Sequence, residues 1–542
     1  MVDNGKKSES KKGNAILEKL ISRMSLPEKI GQLFQVGFNG SRVTSEIREM
    51  ITDYKVGGII YFRRNIASIP QIANLSDELQ ELSINGGSGL PLIISIDQEG
   101  GLVNRITEIT HFPGNMTLGA TKNPELAQQS GKYIALQLKA LGINMDFAPV
   151  LDINNNPLNP VIGTRSFGGD PLLVANLGVA FIKGMQGEGV IACAKHFPGH
   201  GDTDVDSHLA LPVIKHKKEY MLEVELYPFQ QAINSGVDSI MTAHVYFPAL
   251  DPEKGLPATL SYNILTGLLR EELGFTGIII SDCMEMKAIA ESFGTVAGAV
   301  KSIQAGADLI LISHSIDKQR EAVTAVVESV KEGSITEERI NQSLFRILNL
   351  KRKKIGLESL PVSDYKKIDQ EMEEKVAYRI SREGVTLVKN EDGLIPVNMS
   401  RLSNKRILMI DFLSEKVTLA GDGQESNNIF INLFRAEGIE VEHYIFKDNS
   451  PELPPLEGVG LIIIVSSNAV YHPEQIKIVD KLNTEDILLV IVSANPYDLQ
   501  AFPQVSTFLA IYDNSPSNLK VAYEVIVGRH KAQGTLPVIL KY

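Results

Sequence analysis

Short apolar runs alternate with amphipathic stretches over the first two-thirds of the chain. The runs resemble β-strands, and the stretches between them, among them Pro124–Leu141, Leu172–Gln186 and Tyr220–Ser235, carry apolar residues at helical spacing. This alternation is typical of an α/β architecture with parallel strands. The eight predicted strands are Gln32–Phe38, Gly58–Phe62, Leu92–Asp97, Met145–Val150, Ala192–Phe197, Ser239–Val245, Ile278–Asp282 and Asp308–Ser313.

These eight strands predict a (β/α)8 TIM barrel, with a doubly wound open sheet as the alternative that periodicity does not exclude. Polar and ionisable side chains stand at or just beyond the carboxyl ends of the strands. In a barrel those ends meet at one face, where the loops build active sites. The convergence of six such residues indicates a functional site rather than core packing. They are Asp97, Asp152, Lys195, His196, His244 and Asp282.

The last third of the chain predicts a second domain. A charged helical segment, Thr336 to Lys354, is followed by a stretch with Pro361 that we interpret as a linker. Strands then alternate with helical segments again, which indicates a smaller α/β domain. The predicted boundaries are 15–352 for the barrel, 353–378 for the linker and 379–542 for the second domain. The strands predicted in that domain are Arg406–Phe412, Leu461–Val465, Ile487–Val492 and Thr507–Tyr512.

Composition and charge exclude several classes of protein. Apolar residues make up 43% and charged residues 22% of the chain, which is the balance of a soluble globular protein. The net charge of −12 argues against a nucleic-acid partner or an anionic membrane surface, and no apolar run is long enough for a transmembrane segment. The two cysteines, Cys193 and Cys283, cannot build a disulfide framework, and we interpret them as buried free thiols.

The first fourteen residues, MVDNGKKSESKKGN, are polar and lack the apolar core of a signal peptide. If Met1 is the native start, this predicts a cytoplasmic protein. A polar leader of this kind would equally suit an exported protein whose signal peptide has been removed, so an exported location stays open as the alternative.

The segment that is most informative about chemistry is Lys195–His208, KHFPGHGDTDVDSH. It follows a predicted strand and is rich in Gly, Asp and His, which predicts a surface loop. One hypothesis is a calcium loop, because aspartates alternate at positions 202, 204 and 206. The EF-hand pattern fails, however, since Ser207 stands where it needs Gly and Val213 replaces its terminal Glu.

Two further hypotheses concern the histidines of this loop. A zinc site of His196, His200 and His208 has spacings that fit no common zinc pattern. An acid/base pair is the other: Asp206 and His208 are two residues apart, so both side chains point the same way in an extended loop. A carboxylate that accepts the Nδ1 hydrogen orients the imidazole and leaves Nε2 to exchange a proton near neutral pH. A loop histidine that is merely satisfied by a neighbouring aspartate is the non-catalytic alternative.

The same fourteen positions resemble the KHFPGHGDTxxDSH loop of the β-N-acetylglucosaminidase branch of glycoside hydrolase family 3. The resemblance implies that His208 is the acid/base and that Asp206 orients it. It also implies that Lys195 and His196 contact the sugar. Chance similarity at this length is negligible, so the resemblance favours the acid/base hypothesis over the two metal sites.

Further segments resemble the same family in the same order. IDQEGGLVNR implies that Asp97 and Arg105 bind sugar hydroxyls, and IGTRSFGGDP implies that Arg165 faces the sugar. IIISDCMEM resembles the nucleophile segment, with Asp282 as the nucleophile. A structural Arg–Asp pair is the alternative for each of the two arginines, and a helix N-cap is the alternative for Asp282. REGVTLVKNEDGLIPV and SANPYDL resemble two-domain members, which implies that the second domain is an α/β sandwich.

The resemblance therefore implies a retaining exo-β-N-acetylglucosaminidase that forms a covalent glycosyl-enzyme on Asp282 and uses Asp206 and His208 as an acid/base dyad. No cofactor or metal is implied. The implied partner is a carbohydrate, either a muropeptide that carries N-acetylglucosamine or a chitooligosaccharide. Because histidine replaces one of the usual two carboxylates, a phosphorylase that uses phosphate instead of water is a rival. A non-catalytic sugar-binding protein is a third hypothesis, although binding alone needs neither nucleophile nor base. Because the dyad Asp206 and His208 already supplies the acid/base, the resemblance leaves the second domain a structural or substrate-gating role.

Overall fold

The computed structural model describes residues 13–203, 211–357, 362–402, 404–412, 428–446 and 453–540. The strands of its first part are β1 Phe34–Val36, β2 Gly58–Ile60, β3 Ile93–Ile96, β4 Met145–Asp146, β5 Ile191–Phe197, β6 Ser239–Thr242, β7 Ile278–Ile280 and β8 Ile310–Ile312. Strands β1 to β7 pair in parallel in chain order, and β8 pairs in parallel with β1. A parallel bridge between Ile280 and Leu309 joins β7 to β8. The predicted TIM barrel is therefore confirmed, and the open doubly wound sheet is excluded.

Helices surround the barrel strands and pack on them through one continuous apolar core. Among the described residues, no helix combines the length and the apolar character that a membrane span requires. The helices described up to residue 357 are 13–21, Leu26–Gly31, Ser45–Thr52, Ile69–Asn85, Asn115–Thr121, Pro124–Ala140, Pro171–Gly187, Lys218–Glu223, Tyr227–Asn234, the π-helical Asn263–Glu272, Lys287–Ala290, Thr295–Ala305, Ile316–Lys331 and Glu337–Lys354.

One predicted helix is divided in the structure. The stretch Tyr220–Ser235 forms two helices, Lys218–Glu223 and Tyr227–Asn234, instead of one. Pro228 stands in the first turn of the second helix. Because proline has no amide hydrogen and clashes with the carbonyl of the preceding turn, a helix starts at this residue more easily than it runs through it. The helical spacing of this stretch therefore corresponds to two short helices.

The second domain is built on a six-stranded sheet with the order β9-β14-β13-β12-β10-β11, and its strands are β9 Thr386–Asn390, β10 Arg406–Phe412, β11 Val441–Phe446, β12 Val459–Ser466, β13 Leu488–Ser493 and β14 Thr507–Ala510. All neighbours are parallel except β9, which runs antiparallel to β14. Alternate residues of β10 enter two separate apolar clusters, one on each face of the sheet. This arrangement confirms the α/β sandwich. Its described helices are Gln370–Gly384, Asn428–Ala436, Pro473–Asn483, Asp498–Ala501 and Pro516–Ile526.

The two domains share packing at the helix Asn115–Thr121 of the barrel. Met116 and Ala120 of this helix belong to an apolar cluster of the second domain. Asp513 accepts hydrogen bonds from the Gly114 amide at 2.8 Å and from the Thr117 hydroxyl at 3.1 Å. The second domain therefore rests directly on the barrel. The helix Gln370–Gly384 crosses the predicted boundary at 378 and 379, and the domain boundaries stay predictions.

Candidate active site

A pocket of about 600 Å³ opens at the carboxyl ends of the barrel strands. Eight site residues were predicted from the sequence. Two of them, Asp206 and His208, lie outside the described residues. The structure thus brings six residues from four different strand ends and loops into one cavity, while their chemical roles stay predictions. The six that line the pocket are Asp97, Arg105, Arg165, Lys195, His196 and Asp282.

Asp97 stands directly after β3 and faces two cations. Its Oδ1 lies 2.7 Å from the Nζ of Lys195, and its Oδ2 lies 3.9 Å from an Nη of Arg105. A short hairpin, Gln98–Gly100 with Val103–Asn104, returns the chain so that Arg105 reaches the same pocket. The side chain of Asp97 is 18% exposed, which leaves part of the carboxylate open to the pocket.

Glu99 was not predicted from the sequence, yet it lines the pocket and is paired with two of its cations. Arg165 donates to both of its oxygens, from Nε at 2.9 Å and from Nη2 at 2.7 Å. The Nζ of Lys195 lies 2.6 Å from the same carboxylate. Arg165 therefore forms a structural ion pair, and its partner is Glu99. Arg165 also lines the pocket. Glu99 is two residues after Asp97, a spacing that can place both side chains on one side of an extended chain.

The ion pairs decide the protonation states of Glu99 and Lys195. Burial works to raise the pKa of Glu99, but the charges of Arg165 and Lys195 outweigh it and hold that pKa well below its ordinary value. Burial likewise works to lower the pKa of Lys195, and the charges of Asp97 and Glu99 outweigh it and raise that pKa. Carboxylate and ammonium therefore both stay charged in the buried part of the pocket.

His196 is fixed by Asp152, which lies beneath the pocket. The imidazole Nδ1 is 2.7 Å from an oxygen of Asp152, and the backbone amides of His196 and His200 also donate to this carboxylate. Burial works to raise the pKa of Asp152, and its interactions with His196 outweigh that effect and lower it. The Nδ1 of His200 contacts the hydroxyl of Thr203 at 2.9 Å. The rings of both histidines thus have protein partners, Asp152 for His196 and Thr203 for His200.

Asp282 stands two residues after β7 and reaches the pocket from the opposite side. Its Oδ1 accepts a hydrogen bond from the amide of Cys283 at 2.7 Å. The next helix, Lys287–Ala290, has Met286 as its N-cap. The alternative that Asp282 is a helix N-cap is therefore wrong.

The loop that carries Asp282 is held by two further side chains. Glu285 accepts hydrogen bonds from the backbone amides of residues 313, 314 and 315 at 2.7–2.8 Å, which ties the loop to the end of β8. The Nε2 of His244 donates to the carbonyl oxygen of Cys283 at 3.0 Å. His244 stands two residues after β6, and it contacts the loop that carries Asp282 without lining the pocket itself.

Cys283, Arg64 and Lys287 are further residues that line the pocket. Cys283 is a free thiol that is partly exposed there, whereas Cys193 is buried as predicted. Burial, together with the charge of Glu285, raises the pKa of the Cys283 thiol to about 12, so the thiol stays protonated. Arg64 and Lys287 also line the pocket and were not predicted from the sequence. Arg64 is held by the carbonyl oxygens of residues 38 and 313.

The chain matches the family model of the glycosyl hydrolase family 3 N terminal domain over residues 25–350. β-Hexosaminidase A of Pseudoalteromonas piscicida is 36% identical over 374 residues. The alignment covers 65% of this chain and 62% of that protein, so the chain spans less than two-thirds of that relative. The β-N-acetylglucosaminidase/β-glucosidase of Cellulomonas fimi is 27% identical over 555 residues, which are 97% of this chain and 96% of that protein.

A solved structure matches the chain over both domains. It is that of a glycoside hydrolase family 3 β-N-acetylglucosaminidase from Paenibacillus sp. str. FPU-7, which is 41% identical and gives a TM-score of 0.88. The match covers 96% of this chain and 99% of that chain. The similarity therefore includes the second domain as well as the barrel.

Proposed function

Because the chain belongs to glycosyl hydrolase family 3 and is a glycoside hydrolase, we propose that it is a retaining exo-β-N-acetylglucosaminidase that releases terminal N-acetylglucosamine. The observation that carries this proposal is the pocket, which joins Asp282 at the end of β7 to the Asp97–Lys195 pair at the ends of β3 and β5. Two relatives that match nearly the whole chain carry the name β-N-acetylglucosaminidase, and one of them is also named a β-glucosidase.

The proposed reaction has two steps. The carboxylate of Asp282 attacks the anomeric carbon while His208, as imidazolium, gives its proton to the leaving oxygen, and a glycosyl ester forms. Neutral His208 then takes a proton from water, the water oxygen attacks the same carbon, and Asp282 leaves. Two inversions retain the configuration. Asp206 orients His208 and stabilises its charged form. The roles of Asp206 and His208 rest on the sequence.

The geometry of the pocket supports sugar binding by charged groups that are themselves held in place. Asp97, fixed by Lys195, offers carboxylate oxygens to two sugar hydroxyls, and Arg105 adds donors beside it. His196, fixed by Asp152, presents its ring to the same pocket. Arg165 keeps Glu99 ionised and completes the wall. Groups that are already ordered lose little entropy when the sugar binds.

We propose a muropeptide as the natural substrate, with chitooligosaccharides as the alternative. The pocket is lined by Arg63, Arg64 and Lys287 in addition to the charged groups that balance one another. These cations favour an aglycone with a carboxylate, such as a muramic acid residue, over a neutral sugar. The same cations suit a phosphate ion, so phosphorolysis is the second candidate function.

The proposal is tested with a pair of aryl glycosides that differ only at the second carbon of the sugar. We expect the aryl β-N-acetylglucosaminide to be hydrolysed with a kcat/KM at least about 10-fold above that of the β-glucoside, since an unfilled acetamide subsite costs roughly 1–3 kcal/mol. A clear preference for the glucoside would contradict the proposal. Product analysis in phosphate buffer separates the two acceptors: free N-acetylglucosamine indicates hydrolysis, and its 1-phosphate indicates phosphorolysis.

A further inference from the structure

Three consecutive asparagines, Asn154–Asn156, lie in the loop of residues 153–165, called the β4 loop here because it follows β4. Asn155 donates to a carboxylate oxygen of Glu225 at 3.4 Å. Asn156 donates to the carbonyl oxygen of Thr203, also at 3.4 Å. The β4 loop is therefore bonded to two other loops of the barrel by side chains that the proposed reaction does not use.

A fourth asparagine of the β4 loop, Asn159, organises the beginning of the KHFPGHGDTDVDSH loop. Its Nδ2 lies 2.9 Å from the carbonyl oxygens of His200 and Gly201 and 3.2 Å from the hydroxyl of Thr203. A Cβ atom on Gly201 would come within 1.7 Å of the carbonyl oxygen of Ile153, so only glycine allows this close approach. Residues 200–203 are thus packed tightly on the β4 loop.

Two tyrosines of the second domain hold the other side of the β4 loop. The hydroxyl of Tyr497 accepts from Nδ2 of Asn154 at 2.9 Å and donates to the Asn154 carbonyl oxygen at 3.2 Å. The hydroxyl of Tyr471 donates to the carbonyl oxygen of Leu158 at 2.7 Å. Both ends of the asparagine-rich segment are therefore bonded to the second domain.

The positions of the two tyrosines follow from the sheet of the second domain. Asp498 is fully buried and accepts hydrogen bonds from the hydroxyls of Ser466 and Ser493, at the ends of β12 and β13, each at 2.8 Å. It also accepts from the amide of Ala469 at 2.8 Å. One tyrosine immediately precedes Asp498 and the other lies two residues after Ala469. The carboxylate therefore fixes both loops from which the tyrosines project.

We infer that Tyr471 and Tyr497 are positioning residues for catalysis, which act through the β4 loop on residues 200–203. The inference rests on the proposed function, because the chain continues from Thr203 to Asp206 and His208, the proposed dyad. It gives the second domain a definite role, which is to fix the base of the loop that supplies the proton. The series of contacts ends at Thr203, the last described residue before the dyad.

The expected effect differs between the chemical steps. A shift of about 1 Å in a reacting group can reduce a rate by about 100-fold, and proton donation depends on the position of His208. Asp282 stands two residues after β7 and is not a partner in the hydrogen bonds described above, so attack on the sugar is not affected directly. A sugar leaving group needs a proton, whereas a dinitrophenyl leaving group needs little. Loss of the tyrosine hydroxyls should therefore slow the first substrate more than the second.

The test uses Tyr471→Phe, Tyr497→Phe and the double variant of the full-length protein, assayed with N,N′-diacetylchitobiose and with dinitrophenyl β-N-acetylglucosaminide. We expect the double variant to lose about 10-fold in kcat on the disaccharide and less than about 2-fold in the glycosylation rate of the dinitrophenyl substrate. Tyr512→Phe is the matched control, because that buried hydroxyl donates to Thr386 at 2.7 Å within the second domain. It should change neither rate by more than about 2-fold.

Equal losses on both substrates, or no loss, would overturn the inference. His208→Ala is measured in parallel: if it also shows no difference between the substrates, the dyad assignment itself fails. Amide hydrogen exchange in residues 154–162 and 200–203 then tests whether the two tyrosines position these loops. Faster exchange in the double variant than in Tyr512→Phe supports it, and exchange identical to that of the control overturns it.

Discussion

Lys195 is the residue on which the charge balance of the pocket depends. Its ammonium group bridges Asp97 and Glu99 at 2.7 and 2.6 Å, while Arg165 holds both oxygens of Glu99. Both carboxylates are therefore paired with cations, and Arg105 lies 3.9 Å from Asp97 as a third cation. Asp146 of β4 is close by and fully buried, and burial raises its pKa well above the ordinary value. A neutral sugar thus meets charged groups that are already paired.

The Glu99 ion pairs predict a pH-dependent stability. Glu99→Gln removes one charge from a buried group, which costs about 3–5 kcal/mol at pH 7. Because the folded-state pKa of Glu99 lies below its unfolded value of about 4.3, the stabilisation is complete above pH 4.3 or so and is lost as the pH falls towards the folded value. Urea unfolding of wild type and variant should therefore differ by a constant amount from about pH 7 to 5 and by less below about pH 4.

Glu49→Gln is the matched control for this experiment. Arg320 holds Glu49 with the same two-point geometry, at 3.1 and 2.6 Å, but on the surface, where an ion pair contributes only about 0–1 kcal/mol. A Glu99→Gln effect as small as that of the control, or one that persists undiminished at pH 3, would show that the buried charge pairs do not stabilise the fold.

Asp282→Asn tests the proposed nucleophile. The variant should fold like the wild type, because the amide oxygen still accepts the Cys283 hydrogen bond, and should lose at least about 10³-fold in kcat, because an amide cannot form the glycosyl ester. A fluorinated mechanism-based sugar should label Asp282 in the wild type. Peptide mass spectrometry that finds the label on another carboxylate, such as Asp97 or Glu99, would refute the assignment.

At the scale of elements, the sequence predicted strand order well because buried parallel strands are nearly continuous apolar runs. It missed β9 and β11, which lie at the two edges of the second sheet and have mixed apolar and polar faces. An edge strand has one partner strand and a partly exposed face, so its hydrophobic pattern is weaker. Some strands were also predicted as longer than they are. The strand predicted as Met145–Val150 ends at Asp146 in the structure, because its pairing becomes irregular before Pro149.

Strand-end position predicted which residues approach the pocket but not which way each side chain turns. Lys195 and Asp282 face the cavity, whereas His244 turns towards Thr259 and the Cys283 carbonyl oxygen. Glu99 was missed because its importance comes from Arg165, a partner 66 residues away. Contacts between distant loops depend on the closed barrel, and no local pattern in the sequence encodes them.

At the scale of the whole molecule, the described part of the chain includes at least three contacts between the second domain and the barrel. Its tyrosines hold the β4 loop, and Asp513 binds the start of the helix Asn115–Thr121. The chain near its C-terminus forms the third contact, where the Pro537 carbonyl oxygen accepts from the Gly169 amide at 3.0 Å. The helix Asn115–Thr121 also positions the pocket, since Asn115 donates to the carbonyl oxygen of Arg165 at 2.8 Å. The same interface therefore supports both folding and the site.

Asp513→Ala tests whether the two domains unfold together. In the wild type the shared cluster of Met116 and Ala120 and the buried Asp513 bonds join the domains, so calorimetry should show a single cooperative transition. The variant leaves the Gly114 amide and the Thr117 hydroxyl buried without this acceptor, at a cost of about 1–3 kcal/mol for each group. Because that loss falls on the interface, the second domain should melt earlier and the transition should split in two.

Tyr512→Phe, which removes a hydrogen bond inside the second domain, should lower the transition temperature without splitting it. Two separate transitions already in the wild type would mean that the domains are stable independently, and the interface would then position the pocket without stabilising the fold.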